Sequence, residues 1–331
     1  MRWNLFASSM FLLCLWACGS PGDPPVRADP MVFGDDYRET QQWLGGRSEG
    51  VLLRTFTPKN KQDGLFVYVM GGGPNGLSYS EPLIRNTWRI YKDLRPTIHF
   101  VEYAGSRCCD GVLEQRLERG GLPELANDAA LISEYIDSSP VGTVHIIHSA
   151  SFSTPVNLLI NARRAWYDER CVHPVYVSPW INYYGTEFIY DPANKGLPDV
   201  GKKIEERKSS WRTMAMRYLH INEDLLSDPS REWLASVRDL YNPKVRSLVI
   251  LPQYENRSDR DELIAFFDPP STTEVFLSGW SHHETVANLD RTIDVTRTFV
   301  ERHGDPAACL ARVERQREQE GGTKGAPPRR L

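Results

Sequence analysis

Ser151 has the sequence surroundings of a nucleophilic serine. Small residues, Ser149 and Ser153, lie two positions before it and two positions after it. A serine in a sharp strand-to-helix turn has a strained backbone that leaves no room for large side chains at those two positions. This restriction is the physical basis of the Gly-x-Ser-x-Gly pattern. Ser149 fails the same test because Ile147, two positions before it, is β-branched. Ser151 is therefore the predicted nucleophile.

The segments on either side of this serine are predicted to form the turn. Residues 144–147, Val-His-Ile-Ile, are rich in β-branched apolar residues, which is typical of a short buried strand. Residues 155–160 have the apolar spacing of an amphipathic helix, and Pro155 suits its first turn. A serine hydroxyl also needs a neighbouring base and a group that orients the base, and other parts of the chain must supply them.

A glycine-rich segment follows another predicted strand about eighty residues before the nucleophile. Residues 64–70 form the predicted strand, and residues 71–76 include four glycines. Because glycine has no side chain, its backbone N–H group can approach a ligand oxygen closely. A surface turn is the alternative interpretation of a Gly-Pro-Asn-Gly cluster. The predicted oxyanion hole combines the N–H group of Phe152 with that of Gly72 or Gly73.

Two further predicted strands are each followed by a residue type that such a site needs. Residues 245–251 lead to Glu255, and residues 274–277 lead to His282. Open parallel sheets place ligands and catalytic groups just beyond the carboxyl ends of their strands. The chain order of serine, acid and histidine is the order found in α/β-hydrolases. We predict that His282 is the general base and that Glu255 orients it.

Other histidines and acids remain as alternatives. His283 is the second choice for the base, and Asp259 and Asp261 are second choices for the acid, although their charged surroundings suit a solvated loop. A metal site at the adjacent histidines is disfavoured because neighbouring residues rarely point the same way and no third ligand has zinc spacing. Neither a metal nor a cofactor is predicted. The histidines of the predicted strands are expected to be core or strand-end residues: His99, His145 and His148.

Taken together, these motifs resemble those of the α/β-hydrolase superfamily, and within it those of the proline-iminopeptidase-like branch. Residues 71–75 are similar to the His-Gly-Gly-Pro-Gly loop of that branch, and residues 149–154 to its Gly-Gly-Ser-Trp-Gly-Ser turn. Glu102 takes the place of the acid in its Asp-Gln-Arg-Gly motif. The resemblance covers roughly residues 50–300. It implies an α/β-hydrolase fold, that is, a mostly parallel sheet flanked by helices, with a small helical cap.

The resemblance also implies a domain division and an activity. The expected segments are a core over residues 31–179 and 242–305, a cap inserted over residues 180–241, and a charged C-terminal tail over residues 306–331. The implied activity is hydrolysis of an ester or a short peptide through an acyl-enzyme on Ser151. The expected partner is therefore a small-molecule or short-peptide substrate. Serine replaces both glycines of the nucleophile turn, and Asn75 replaces the last glycine of the oxyanion loop. An inactive module that binds a ligand or a protein is therefore the alternative.

The N-terminus resembles a bacterial lipoprotein signal. Arg2 supplies a positive charge, and residues 5–17 form an apolar run that is too short to span a bilayer but suits a secretory signal. Residues 15–18 resemble the cleavage box in which Cys18 becomes the lipidated first residue. Trp16 is unusual there, which leaves plain secretion as an alternative to a lipid anchor in the cell envelope. The expected boundaries are a signal peptide over residues 1–17 and a flexible tether over residues 18–30.

Composition supports one globular domain without a nucleic-acid partner. The chain has 331 residues, 40% of them hydrophobic, and a net charge of −4. It can therefore bury a sizeable core and has no basic face, and it carries no signal for an oligomeric state. Four cysteines lie outside the N-terminal segment. These four cysteines allow three pairings, and a Cys171–Cys309 disulfide belongs to one of them. In that pairing the adjacent Cys108 and Cys109 stay free or bond to each other with strain.

Overall fold

The computed structural model describes eleven segments of the chain. They are residues 36–46, 50–70, 81–102, 122–150, 153–164, 169–179, 241–243, 245–251, 267, 272–277 and 290–321. Several predicted features lie outside these residues, namely the signal peptide and tether with Cys18, most of the cap, Gly72, Gly73, Ser151, Phe152, Glu255, Asp259, Asp261, His282 and His283. In the described residues, no helix combines the length and the apolar character that crossing a membrane requires.

Within the described part of the chain, eight strands form one sheet in the order β1-β2-β4-β3-β5-β6-β7-β8. The strands are β1 (Tyr37–Leu44), β2 (Val51–Pro58), β3 (Leu65–Met70), β4 (Thr97–Glu102), β5 (Val144–Ala150), β6 (Cys171–Val177), β7 (Ser247–Leu251) and β8 (Thr273–Leu277). β2 is antiparallel to both β1 and β4, and every other neighbouring pair is parallel. The prediction of a mostly parallel sheet is therefore confirmed.

The central strands are rich in apolar residues because the sheet is covered on both faces. Every residue of β4, β5 and β7 is buried. Parallel strands of this kind are continuously hydrophobic, whereas a half-exposed strand alternates apolar and polar residues. β1 differs because it forms the exposed edge of the sheet. Its sequence is mostly polar, and charges on an edge strand oppose pairing with another chain.

Helices pack on both faces of the sheet. They are α1 (Glu81–Tyr91), α2 (Leu122–Asp137), α3 (Thr154–Ala162), α4 (Asp290–His303) and α5 (Pro306–Gly321). On one face, Ile132 of α2 and Val156 of α3 join a buried cluster with Ile147 of β5. On the other face, Ile90 of α1 and Phe299 of α4 form a second cluster with the alternate residues of the same strands. Because β-strand side chains alternate between the faces, β5 contributes to both clusters.

A disulfide holds the C-terminal helix against the sheet. Cys171, the first residue of β6, is bonded to Cys309 of α5, with their Cα atoms 5.9 Å apart and 138 positions apart in sequence. Closing a loop of this length with a disulfide stabilises the folded state by roughly 2–5 kcal/mol. The helix also packs closely on the turn before β5. Gly142 in that turn has a φ of 81°, and a Cβ there would lie 2.9 Å from Leu310 of α5. The segment expected to be a charged tail therefore begins with a helix packed at the amino ends of the parallel strands.

Candidate active site

The carboxyl ends of the parallel strands form one edge of the sheet. The facing residues at this edge are Met70 with Ser149, Ala150 with Val177, and Leu251 with Leu277. In sequence, the glycine-rich segment follows β3 and Ser151 follows β5. The segments with the candidate acid and base follow β7 and β8. All four candidate segments therefore leave the sheet at the same edge.

The lengths of chain beyond this edge are sufficient for a triad. β7 is two strands from β5 and β8 is three strands from it, which at about 4.8 Å per strand gives separations of roughly 10 Å and 14 Å. Glu255 is the fourth residue after Leu251, and His282 is the fifth after Leu277. Since an extended chain spans up to about 3.3–3.6 Å per residue, these segments reach roughly 13 Å and 17 Å. Both segments are therefore long enough to reach the end of β5, which Ser151 follows.

The position of Ser151 between a strand and a helix agrees with the sequence prediction. β5 ends at Ala150 and α3 begins at Thr154. Pro155 lies in the first turn of α3, where its missing N–H group leaves no hydrogen bond unmade. Ser153 is the N-cap residue of the helix. The change from strand to helix thus takes only three residues, the first of which is Ser151.

Ser149 is a buried residue with hydrogen-bond partners inside the fold. Its side chain is fully buried on the face of the sheet that α3 covers. The side-chain amide of Asn157 donates a hydrogen bond to its hydroxyl at 2.7 Å, and the hydroxyl lies 3.4 Å from the carbonyl oxygen of Val175. The structure therefore places the Ser149 hydroxyl among buried groups, and the choice of Ser151 as the nucleophile stays a prediction.

Ser153 is also fully buried, at the start of α3. The Ala150 N–H group donates to Ser153 Oγ at 2.9 Å. The same Oγ lies 2.8 Å from two carbonyl oxygens, those of Ala150 and Met70. Sequence reasoning treated Ser153 only as a small residue and did not predict these contacts. The sequence feature that could have indicated them is a hydroxyl-bearing residue at a position where the family that this chain resembles has glycine.

Glu102 at the end of β4 belongs to an ion pair within the sheet. Its carboxylate lies 2.8 Å from the guanidinium Nε of Arg54 on β2, and the two side chains are 10% and 1% exposed. The positive charge balances the carboxylate, which makes this acid a structural residue. Removing one partner of such a buried pair costs about 3–5 kcal/mol because it leaves the other charge uncompensated.

The histidines of β4 and β5 are core residues, as predicted. His99, His145 and His148 are all buried. Burial lowers the pKa of His99 to about 3 and that of His148 to about 4, because a charged imidazole would lose its hydration. Burial, with a contribution from the charge of Arg164, holds the pKa of His145 well below its usual value. The three imidazoles are therefore neutral in the folded protein.

This burial predicts that acid destabilises the protein at pH values where histidines normally titrate. Unfolded histidines have a pKa near 6.5, so between pH 6.5 and about 4 the unfolded chain binds more protons than the folded one. The free energy of unfolding should therefore fall as the pH falls, by about 1.4 kcal/mol per pH unit for each buried histidine. Urea unfolding at a series of pH values measures this slope.

The control for the pH prediction is His148→Gln. This variant removes one titrating imidazole and should show a smaller slope than the wild type over the same range. A wild type with the same free energy of unfolding at pH 6.5 and pH 4.5 would contradict the prediction.

The described residues contain no group of three His, Cys, Asp or Glu side chains that could hold a metal ion. The segments that follow the strands at this edge contain serine, histidine and carboxylate side chains together with glycine backbone N–H groups. These group types are sufficient for acyl transfer through a covalent serine intermediate. Ser151 follows β5 directly. Ser149 and Ser153, the small residues two positions before and after it, are both buried at the strand–helix junction.

Comparisons with known proteins identify the fold. No protein-family model and no curated protein matches the sequence. Among solved structures, a proline iminopeptidase from Mycobacterium smegmatis is similar with a TM-score of 0.52 and 12% identity, over 80% of this chain and 99% of that chain. An esterase of the bacterial hormone-sensitive lipase family has a TM-score of 0.52 and 13% identity, over 92% and 100%. An esterase from Pyrococcus furiosus has a TM-score of 0.52 and 12% identity, over 86% and 98%. The predicted α/β-hydrolase fold is confirmed.

Proposed function

We propose that this α/β-hydrolase-fold protein is a serine hydrolase that cleaves an ester or a short peptide through an acyl-enzyme on Ser151. One observation carries the proposal: β5 ends one residue before Ser151, and α3 begins three residues after it. A strand–turn–helix unit of this kind is the arrangement that presents a nucleophile at the edge of a sheet. Esterases and a proline iminopeptidase among the similar structures support the same reaction class.

In the proposed mechanism, His282 takes the proton of the Ser151 hydroxyl as its oxygen attacks the substrate carbonyl carbon. The N–H groups of Phe152 and of Gly72 or Gly73 stabilise the negative oxygen of the tetrahedral intermediate. The histidine then returns the proton to the leaving group, and an acyl-serine remains. Water, activated by the same histidine, hydrolyses this ester and restores the free serine. Glu255 orients the imidazole and stabilises its protonated form.

The alternative, an inactive module that binds a ligand or a protein, depends on the loss of glycine at Asn75 of the oxyanion segment and at both small positions of the nucleophile turn. The structure weakens this argument at Ser153, which has a φ of −82° and a ψ of −5°. Any L-residue adopts this conformation, so the backbone does not require glycine there. Ser149 likewise has room for its side chain and a hydrogen-bond donor in Asn157. Both serines are therefore compatible with an active turn.

Covalent labelling of the purified protein with a fluorophosphonate tests the proposed function. The probe reacts with serines that a neighbouring base has activated, so the test needs no knowledge of the substrate. We expect one adduct per chain, located on Ser151. A wild-type protein that forms no adduct and hydrolyses no generic ester would favour the binding module.

We also propose that the protein is anchored by a lipid on Cys18 in a bacterial cell envelope. The Cys171–Cys309 disulfide supports an oxidising compartment, since disulfides are rare in proteins kept in the reducing cytosol. A cysteine that carries several acyl chains would hold the chain on a membrane, because stable anchoring needs more than one lipid chain. Residues 19–30 would then link the anchor to the folded domain.

Cys18→Ser is expected to remove the anchor. Serine cannot form the thioether that carries the lipid, so the variant should leave the membrane fraction or keep its signal peptide. Fractionation of a bacterial host, with the mass of the mature chain, measures both outcomes. Cys14→Ser is the matched control, because Cys14 lies in the apolar run before the cleavage box. A wild type found entirely in the soluble periplasm or the medium would contradict the lipid anchor.

A further inference from the structure

We infer that Ser153 is a positioning residue that joins the nucleophile turn to the predicted oxyanion segment through its hydroxyl. This inference rests on the proposed function, since it assigns a role within the same site. It goes beyond the requirement for a small residue after the nucleophile, which alanine or glycine would also meet.

The geometry places one oxygen atom between the ends of two strands. Ser153 Oγ lies 2.8 Å from the carbonyl oxygen of Met70, the last residue of β3. It lies 2.8 Å from the carbonyl oxygen of Ala150, the last residue of β5, and accepts the Ala150 N–H group at 2.9 Å. Met70 and Ser153 are 83 positions apart in sequence. The hydroxyl therefore connects two segments that are distant along the chain.

These contacts act on the residues that follow each strand because a peptide unit is planar. The carbonyl oxygen of one residue and the N–H group of the next lie in one plane and point in opposite directions. A hydrogen bond to the Met70 carbonyl therefore restrains the end of β3, from which the chain continues into the glycine-rich segment. A hydrogen bond to the Ala150 carbonyl restrains the end of β5, from which the chain continues to Ser151. One hydroxyl thus restrains the ends of the two strands that lead into both proposed halves of the site.

Burial makes this link strong and specific. Ser153, Met70 and Ala150 are all buried, so water does not compete for the carbonyl oxygens. A hydroxyl has one proton to donate and can accept further hydrogen bonds. Here it accepts from Ala150 and shares its proton between the two carbonyl oxygens. Alanine would keep the backbone conformation but would leave these carbonyl groups without their shared donor.

Removing the hydroxyl should slow the chemical step more than it weakens substrate binding. Oxyanion donors act through a geometry set before the reaction, and a misplacement of about 1 Å can cost 10²-fold in rate. We therefore expect Ser153→Ala to lower kcat, and the rate constant of fluorophosphonate labelling, by about tenfold to a hundredfold. KM should change little, because Ser153 is buried beneath the edge and does not contact substrate.

The matched control is Ser149→Ala. Ser149 is an equally buried serine of the same strand–helix unit, with hydrogen-bond partners on α3 and β6. Both alanine variants should lower the melting temperature by similar amounts. Only Ser153→Ala should lower kcat at constant KM. Ser153→Gly, which also lacks the hydroxyl, should behave like Ser153→Ala.

Two results would overturn the inference in different ways. If the wild type labels and turns over ester but Ser153→Ala matches Ser149→Ala in kcat, the positioning role is wrong and the proposed function stands. If the wild type neither labels nor hydrolyses an ester, the proposed function fails and the positioning role falls with it. Equal losses of melting temperature accompanied by the kcat difference would support the inference.

Discussion

Ser151→Ala is expected to abolish labelling of the protein by a fluorophosphonate, whereas Ser149→Ala is expected to keep most of it. The reason is the position of each serine at the end of β5. Ser149 is a strand residue whose hydroxyl is buried and hydrogen-bonded to Asn157. Ser151 is the first residue after the strand and enters the turn to α3. Intact-mass measurement after exposure to the probe, followed by peptide mapping, gives both the extent and the site of labelling.

Two outcomes would contradict this assignment. Labelling that survives in Ser151→Ala would move the nucleophile to another residue. Equal loss from both variants would mean that the turn itself had been disrupted. Circular dichroism and the melting temperature distinguish these cases, because a disrupted turn should also weaken the packing of α3 on the sheet. The Ser149 hydroxyl makes one hydrogen bond with α3, through Asn157. Its removal should therefore lower the melting temperature less than a substitution that leaves a cavity in the core.

The strands that position the site were predictable because they are buried on both faces. β3 and β7 are short, almost wholly apolar runs, and runs of this length and composition are typical of buried strands in a parallel sheet. β5 is equally short, and its Val144, Ile146 and Ile147 give the same signal although two histidines and a serine interrupt it. β1 has no such signal. Its sequence carries charged and polar residues because it pairs on one side only and is largely exposed. An antiparallel edge strand depends on its neighbour for its conformation, and its own sequence does not reveal it.

Contacts between distant segments could not be predicted in the same way. Four cysteines allow three pairings, and the Cys171–Cys309 bond depends on α5 packing at the start of β6. The contact of Ser153 with Met70 likewise depends on β3 and β5 being neighbours in the sheet. Sequence spacing identified small residues around Ser151 but not the atoms that their side chains would reach. The residue types around Ser151 could therefore be interpreted from sequence, whereas contacts between residues of different strands could not be predicted.

The proposed base predicts a loss of activity that distinguishes two adjacent histidines. His282→Ala should remove nearly all hydrolysis of a generic ester, because a serine hydroxyl is a poor nucleophile without a base. His283→Ala should keep most of it. Activity of the wild type should rise with pH over the range in which histidine side chains lose their proton, because only neutral imidazole accepts the serine proton. Full activity in His282→Ala would transfer the base to another residue.

The acid is tested by Glu255→Gln, which keeps the size of the side chain and removes its charge. An amide in this place can favour the wrong tautomer of the imidazole and no longer stabilises the imidazolium, and an equivalent change in a serine triad costs about 10⁴-fold in kcat. We expect a loss of that order with KM nearly unchanged. Asp259→Asn and Asp261→Asn are the controls, since these acids follow the same strand but lie farther beyond its end. An active Glu255→Gln with an inactive control variant would move the acid to that aspartate. The reach of the segment after β7 would still bring it to the same edge, so the fold and the nucleophile would be unaffected.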